Sequence, residues 1–303
     1  MAQYRTRRTP VDGILLIDKP AGCTSHDVVA RVRRELRPAI KKVGHAGTLD
    51  PFATGLLIVL VGRATKLARF FVDLPKEYVC TLQFGVTSDT GDRTGDLTPS
   101  GSRTTLDDVA AVLPRFLGLI EQRVPMTSAV KVDGERLYRK AHRGEVVETP
   151  TKEVEITAID LLDFEARAQR LRCRVVCSKG TYVRQLAIDM GDAVGVGAFV
   201  DELARSATGP FRLEDAQELG DFERAIAARP DGDAAIPGLV PAGLALDFLP
   251  ALEVTAAQAV GVRNGARLPG GPPQAVRIVH RNEVLAVYGP SEDPPALKPL
   301  VIL

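Results

Sequence analysis

The sequence predicts a two-domain protein of mixed helices and strands, on three observations. Its 303 residues exceed the roughly 150 that one domain usually takes. Short buried-strand runs alternate with amphipathic helical stretches to about residue 226, after which a stretch between about 227 and 250 turns to Ala, Pro, Gly and Asp and separates them from a β-rich tail. Apolar residues make up 45% of the chain, enough for a packed core, which excludes the disordered and fibrous classes.

The first residues carry Arg5, Arg7 and Arg8 with no apolar period and read as a basic, disordered tail over 1–11. Gly13-Ile14-Leu15-Leu16-Ile17 is a short buried strand closed by the turn residues Lys19-Pro20-Ala21-Gly22, after which Ser25 is placed to N-cap a helix. Val28, Val29, Val32 and Leu36 give that helix its apolar stripe, while Arg31, Arg33, Arg34 and Arg37, followed by Lys41 and Lys42, leave Glu35 as the one acid of a strongly basic patch. A glycine-punctuated loop from 44 to 55 leads into an apolar strand at 56–61, and 65–71 reads as a short helix. Tyr78 to Phe84 alternates with the period of a half-buried strand. A polar loop of Gly, Asp and Thr follows to about 104. Then come an amphipathic helix at 106–117, a basic helix at 135–143, strands at 153–161 and 171–177, a helix opened by Lys179-Gly180-Thr181 that runs to about Gly191, and another helix near 215–226. Beyond a boundary near 240, a helix at 255–262 stops at Asn264-Gly265, and strands at 275–280 and 283–288 flank a turn at Arg281-Asn282.

Several function classes are disfavoured. Lys plus Arg number 39 against 38 Asp plus Glu, so only local patches, not the net charge of +1, point to a polyanion. The longest apolar run, 56–61, falls far short of the roughly 20 residues a membrane span needs. Cys23, Cys80, Cys173 and Cys177 form no CxxC pair and no export signal precedes them, so a reducing cytoplasm is the expected compartment. His26, His45, His142 and His280 are dispersed, which argues against a metal site, and no GxxxxGK[ST] offers a phosphate cradle.

The segment that invites chemistry is Gly44-His45-Ala46-Gly47-Thr48-Leu49-Asp50-Pro51-Phe52-Ala53-Thr54-Gly55, where three glycines permit tight backbone and Pro51 biases Asp50 toward extended geometry. Spacing alone leaves open whether Asp50 and Thr54 react or merely hydrogen-bond the turn. This segment, together with Gly13-Ile14-Leu15-Leu16-Ile17-Asp18-Lys19-Pro20 and Ser178-Lys179-Gly180-Thr181-Tyr182-Val183-Arg184, resembles the signature segments of the TruB family of tRNA pseudouridine synthases over about residues 12–210. The resemblance implies an α+β pseudouridine synthase fold with a mixed, mostly antiparallel central sheet and flanking helices. It implies isomerisation of uridine to pseudouridine at position 55 in the T arm of tRNA, with no metal and no organic cofactor.

The same resemblance makes Asp50 the nucleophilic carboxylate, attacking ribose or base, and Arg184 its cationic partner. A guanidinium suits that place because it keeps its proton and can grip both carboxylate oxygens. It also implies that Tyr78 lies against the flipped base, that Tyr182 and Leu203 meet the uridine edge and wall the pocket, that His45 helps displace the uridine, and that Lys66 lies near the site. Alternation alone would make Tyr78 a core residue. RNA phosphate contacts are expected from Arg33, Arg34, Arg37 and Lys41 and, in the family's RNA-gripping insertion near 124–150, from Lys131, Arg136, Arg139 and Lys140. The family commonly has an aromatic residue where this chain has Thr127 and a proline where it has Val124; those departures are expected to touch docking of the insertion and not the reaction at Asp50. Residues 241–303 resemble a PUA-like RNA-binding module, with a job at the tRNA acceptor end, and a monomer is expected. A different class stays open: an RNA-binding tRNA folding chaperone with catalysis secondary or lost.

Overall fold

The computed structural model describes residues 12–145, 147–230, 235–291 and 296–303; the basic tail expected over 1–11 lies outside them. The chain begins with β1 (Gly13–Lys19) and α1 (Ser25–Leu36). Thr24, not Ser25, caps α1. Its hydroxyl accepts from the Asp27 N–H at 3.1 Å and the Asp27 carboxylate accepts from the Thr24 N–H at 2.8 Å, a reciprocal arrangement that needs the acid three residues on. β2 (Val43–Ala46) pairs with β3 (Thr54–Val61), so the expected strand starts two residues early and His45 sits on a strand rather than in a loop. A 3-10 turn at Gly62–Leu67 precedes α2 (Ala68–Val72), and β4 (Lys76–Phe84) follows. The polar loop holds the short strands β5 (Val86–Ser88) and β6 (Leu97–Pro99). α3 (Leu106–Val112) ends before its expected limit in a 3-10 turn at Leu113–Phe116, where Pro114 has no N–H to continue the helix.

Next come β7 (Gly118–Arg123) and a hairpin of β8 (Lys131–Val132) and β9 (Glu135–Arg136), with α4 (Leu137–His142) behind it. The helix expected from 135 is therefore delayed to 137. Asp133 and Gly134 take φ of 55° and 82°, which closes a two-residue hairpin and spends 135–136 on pairing. β10 (Thr151–Glu165), β11 (Arg170–Cys177) and α5 (Val183–Ala193) follow, then β12 (Ala198–Thr208), a strand that the sequence reading did not anticipate. β13 (Phe211–Arg212), β14 (Gln217–Glu218), α6 (Leu219–Ala227) and β15 (Val240–Pro241) complete the larger sheet and its cover. The remainder comprises β16 (Ala251–Glu253), α7 (Ala256–Arg263), β17 (Leu268–Pro269), β18 (Val276–His280), β19 (Glu283–Pro290) and β20 (Ala296–Ile302).

The main sheet runs β14-β1-β3-β12-β4-β11-β10-β7, with β2, β13 and β15 paired to β3, β12 and β1. Among the described residues its parallel pairs are β1–β14 and β3–β12, so the sheet is mixed and mostly antiparallel, as the family resemblance implied. Leu15, Ile17, Leu57 and Val59 pack under α1 and α6, whereas Ile14, Leu16, Leu56 and Ile58 pack under Leu67, Phe71, Leu246, Val287 and Val301. Burial on both faces is why these two strands read as unbroken apolar runs. Val287 and Val301 come from a second sheet, ordered β16-β18-β19-β20-β17. Its helix α7 stops at Asn264, and its hairpin turns on Arg281 and Asn282, both at positive φ. The later part of the Pro-rich stretch is packed: Val240 and Pro241 pair with Ile14 and Gly13, and Ala245 and Leu246 are buried. Proline suits such a short edge strand because one N–H is surplus there.

Candidate active site

The loop 47–53 joins β2 to β3 and carries Asp50 at its tip. Three neighbours pin it. Ser25, freed from capping, donates its hydroxyl to the Leu49 carbonyl at 3.2 Å and accepts from the Leu49 N–H at 2.9 Å. The Lys19 ammonium donates to the carbonyls of Ala53 (2.6 Å), Pro20 (2.9 Å) and Pro51 (3.3 Å), so a lysine read as part of a turn is a buried strut; burial holds its pKa below the ordinary value. Arg205, only 1% exposed, donates to the carbonyls of Leu56 (2.8 Å) and Gly47 (3.0 Å). β12 passes so close that a Cβ on Gly55 would lie 2.4 Å from the Arg205 carbonyl oxygen, and Gly55 has φ of +101°, so only glycine fits there.

Arg184, in the first turn of α5, reaches the acid. Its Nε lies 2.9 Å from Asp50 Oδ2 and its Nη2 3.0 Å from Asp50 Oδ1, a side-on pair of parallel charge-assisted bonds. Nη1 also donates to the Thr90 carbonyl at 3.0 Å and to the Thr127 hydroxyl, and Nη2 to the Thr127 carbonyl at 3.2 Å. The Arg184 side chain is 3% exposed and that of Asp50 31%, so the guanidinium is sealed behind a carboxylate that solvent, or a ligand, can reach. A second acid, Asp92, stands with Oδ2 3.7 Å from Nε. The Thr127 departure, expected to concern the insertion alone, is thus in direct contact with the arginine that holds Asp50.

Tyr78 on β4 lies opposite Arg205 on β12, and Leu203 lies opposite Cys80. Tyr78 and Leu203 share one cluster with Leu49, Phe52 and Val183, next to Asp50 and Arg184 in sequence. Burial pushes the Tyr78 phenol up, partly opposed by the nearby Arg205 charge, and burial does the same to Tyr182; the Asp50 charge adds to both. Both phenols therefore keep their protons at neutral pH. Tyr182 is held by Gln122, 1% exposed, whose amide accepts from the Tyr182 N–H at 2.7 Å and donates to its carbonyl at 3.0 Å. Burial and then the Arg205 charge keep His45 below the usual imidazole range, and its Nδ1 is buried without a hydrogen-bond partner among the described residues. Arg205, Gln122 and Lys19 were not singled out from sequence. Only the alternating burial of Leu203, Arg205 and Ala207 in the folded strand places Arg205 on the same side of β12 as Leu203.

Lys66 follows Thr65, whose side chain lies against Gly44, the neighbour of His45. It is exposed and lines an open groove of about 540 Å³ with Arg69 and Pro299–Ile302 of β20. Arg37 and Lys41 are exposed, and so are Lys131, Arg136 and Arg139. The patch on α1 is less basic than its sequence, because Glu223 of α6 takes a two-point pair from Arg31 and lies 3.5 Å from Arg34. Arg33 donates to the Val43 carbonyl at 3.2 Å. In the insertion, Lys140 lies 3.6 Å from Asp133, and Arg143 pairs with Glu135 and Glu145.

Residues 33–183 match the family model described as TruB family pseudouridylate synthase, N-terminal domain. The chain is 44% identical to "tRNA pseudouridine synthase B" of Geobacillus kaustophilus over 86% of this chain and 92% of that one. The chain belongs to the TruB family. It is also 41% identical to the synthase B of Geobacillus thermodenitrificans, over 96% of this chain and 99% of that one. Among solved structures, the TruB-family chain is similar to one described as "Crystal Structure of a Cbf5-Nop10-Gar1 Complex", with a TM-score of 0.72 at 28% identity, covering 91% of this chain and 78% of that one. A second, "Structure of H/ACA RNP bound to a substrate RNA containing 2'-deoxyuridine", gives 0.71 at 26% identity over 91% of this chain and 77% of that one.

Proposed function

We propose that this TruB-family enzyme converts uridine to pseudouridine at position 55 in the T arm of tRNA, with Asp50 as nucleophile. The observation that carries the proposal is the Arg184–Asp50 pair: a half-open carboxylate gripped at both oxygens by a buried guanidinium. The target base is stacked in folded RNA, so it must be everted into the pocket at a cost of a few kcal/mol. Stacking on Tyr78 offsets about 1–3 kcal/mol of that, with Tyr182 and Leu203 walling the base and His45 helping to displace it. The Asp50 carboxylate attacks ribose or base, the bond from N1 to C1′ breaks, and the base turns and rejoins C1′ through C5. The C5 proton leaves to solvent and N1 gains one, so the reaction balances as an isomerisation without a cofactor. Arg184 supports this chemistry by holding both carboxylate oxygens in a fixed orientation through two parallel charge-assisted bonds.

Phosphate neutralisation supplies affinity, from Arg33, Arg34, Arg37 and Lys41 beside α1 and from Lys131, Arg136, Arg139 and Lys140 in the insertion near 124–150. We assign residues 12–240 to the catalytic domain and 241–303 to a PUA-like module that meets the acceptor end, acting in a monomer in the cytoplasm. Lys66, at the groove beside β20, then serves RNA backbone passing between the two.

The test is tritium release from tRNA labelled at uridine C5. The unaltered protein should release label from the T-arm uridine, and Asp50→Asn should release none while still binding tRNA. No release by the unaltered protein, under conditions where it binds tRNA, overturns the assignment.

A further inference from the structure

A guanidinium has five N–H donors in a rigid planar fork. In Arg184 every one has an acceptor: Asp50 takes two, the Thr90 carbonyl one, and Thr127 the remaining two, through its hydroxyl and its carbonyl. Among the described residues, Thr127 is the one besides Asp50 that holds the fork at two points, and it holds both Nη groups. Arg184 is too buried for water to replace a lost acceptor. Asp92, at 3.7 Å from Nε, is beyond hydrogen-bond reach.

Thr127 belongs to the segment between β7 and β8. Its neighbour Ser128 accepts from the Tyr138 N–H at 3.0 Å, and Val130 accepts from the Leu137 N–H at 2.8 Å. Those donors open α4, the helix that carries Arg139 and Lys140 and follows Arg136. A short hydrogen-bonded path therefore runs from the basic insertion to the far side of the guanidinium from Asp50.

Resting on the activity proposed above, we propose that Thr127 is a positioning residue: its hydroxyl and carbonyl hold the Arg184 fork in the plane that grips Asp50, so that seating of the basic insertion sets the geometry of the reacting acid. Removing the hydroxyl strands a buried charged donor. The fork then turns toward whatever acceptor remains, at the expense of its alignment on Asp50. The effect falls on the chemical step and not on RNA affinity.

The test compares Thr127→Val, which keeps the shape and removes the acceptor, with Thr127→Ser, which restores the acceptor. Single-turnover tritium release at saturating unmodified tRNA should fall about tenfold or more in T127V, with tRNA Kd within twofold of the unaltered protein, and T127S should recover most of the rate. Independently of any activity, water exchange of the Arg184 guanidinium protons, read by nitrogen-15 NMR on the RNA-free protein, should be faster in T127V than in the unaltered protein or T127S. An unchanged rate in T127V, a loss confined to Kd, a T127S as slow as T127V, or unchanged proton exchange each overturns the role of Thr127. Absence of release by the unaltered protein overturns the proposed activity instead, and the exchange measurement still decides the contact.

Discussion

Two buried cations next to the loop that carries Asp50 do different work. Arg205 spends its fork on the backbone carbonyls of Gly47 in the loop and of Leu56 just beyond it, a task for which a rigid multi-donor group is better suited than an ammonium. Lys76, 6% exposed at the start of β4, donates to the carbonyls of Val72 and Leu74. Burial, reinforced by the Arg205 charge, brings its pKa down to about 8 from 10.5. Below pH 8 both folded and unfolded chains hold the proton, and the cost of burying it is constant. Between pH 8 and 10.5 the unfolded chain still binds the proton and the folded chain does not, so stability contributed by this site rises with pH. Urea unfolding of the unaltered protein and of Lys76→Met should therefore diverge in that window, the unaltered protein gaining on the variant by up to about 1.4 kcal/mol per pH unit. A difference that stays flat from pH 7 to 10.5 would refute the burial argument.

Secondary elements turn these contacts into a site. Gln122 on β7 ties the sheet to the residue that caps α5, and Arg184 is in the first turn beyond it. Gln122→Ala leaves the Tyr182 N–H without that partner. It should lower stability by about 1–3 kcal/mol and slow single-turnover release more than it weakens tRNA binding. A variant as stable and as fast as the unaltered protein would remove Gln122 from the site's supports. Much of this level was legible in the sequence. The apolar runs at 13–17 and 56–61, the alternation at 78–84 and the helix after Lys179-Gly180-Thr181 announced themselves through periodicity, two of the motif segments marked Asp50 and Arg184, and the family resemblance added Tyr78. What stayed hidden depends on partners distant in the chain. β12 carries one extra residue at Asp201 and another at Ser206 in its pairing with β4, so its period is blurred. Lys19, Arg205 and Gln122 act through backbone carbonyls and amides, which leave no pattern of residue types. Glu223, which quiets Arg31, lies 192 residues away from it.

For the whole molecule, the net charge of +1 means that tRNA affinity rests on where cations are exposed. Arg37 and Lys41 are exposed, whereas Arg31 is engaged by Glu223. Arg37→Gln and Lys41→Gln should each reduce the slope of log affinity against log salt by about 1, while Arg31→Gln should change it far less. Filter binding at several salt concentrations reads this directly; equal effects from all three would mean that Glu223 releases Arg31 to the RNA. The sheet order carries a consequence for synthesis of the protein. β12 lies between β3 and β4, and through Arg205 it fastens the loop that bears Asp50. A nascent chain that has not yet released residue 208 from the ribosome has its two halves of sheet unjoined. The enzyme is thus silent for more than half of its own translation, and it becomes competent only when that late strand slides into the gap.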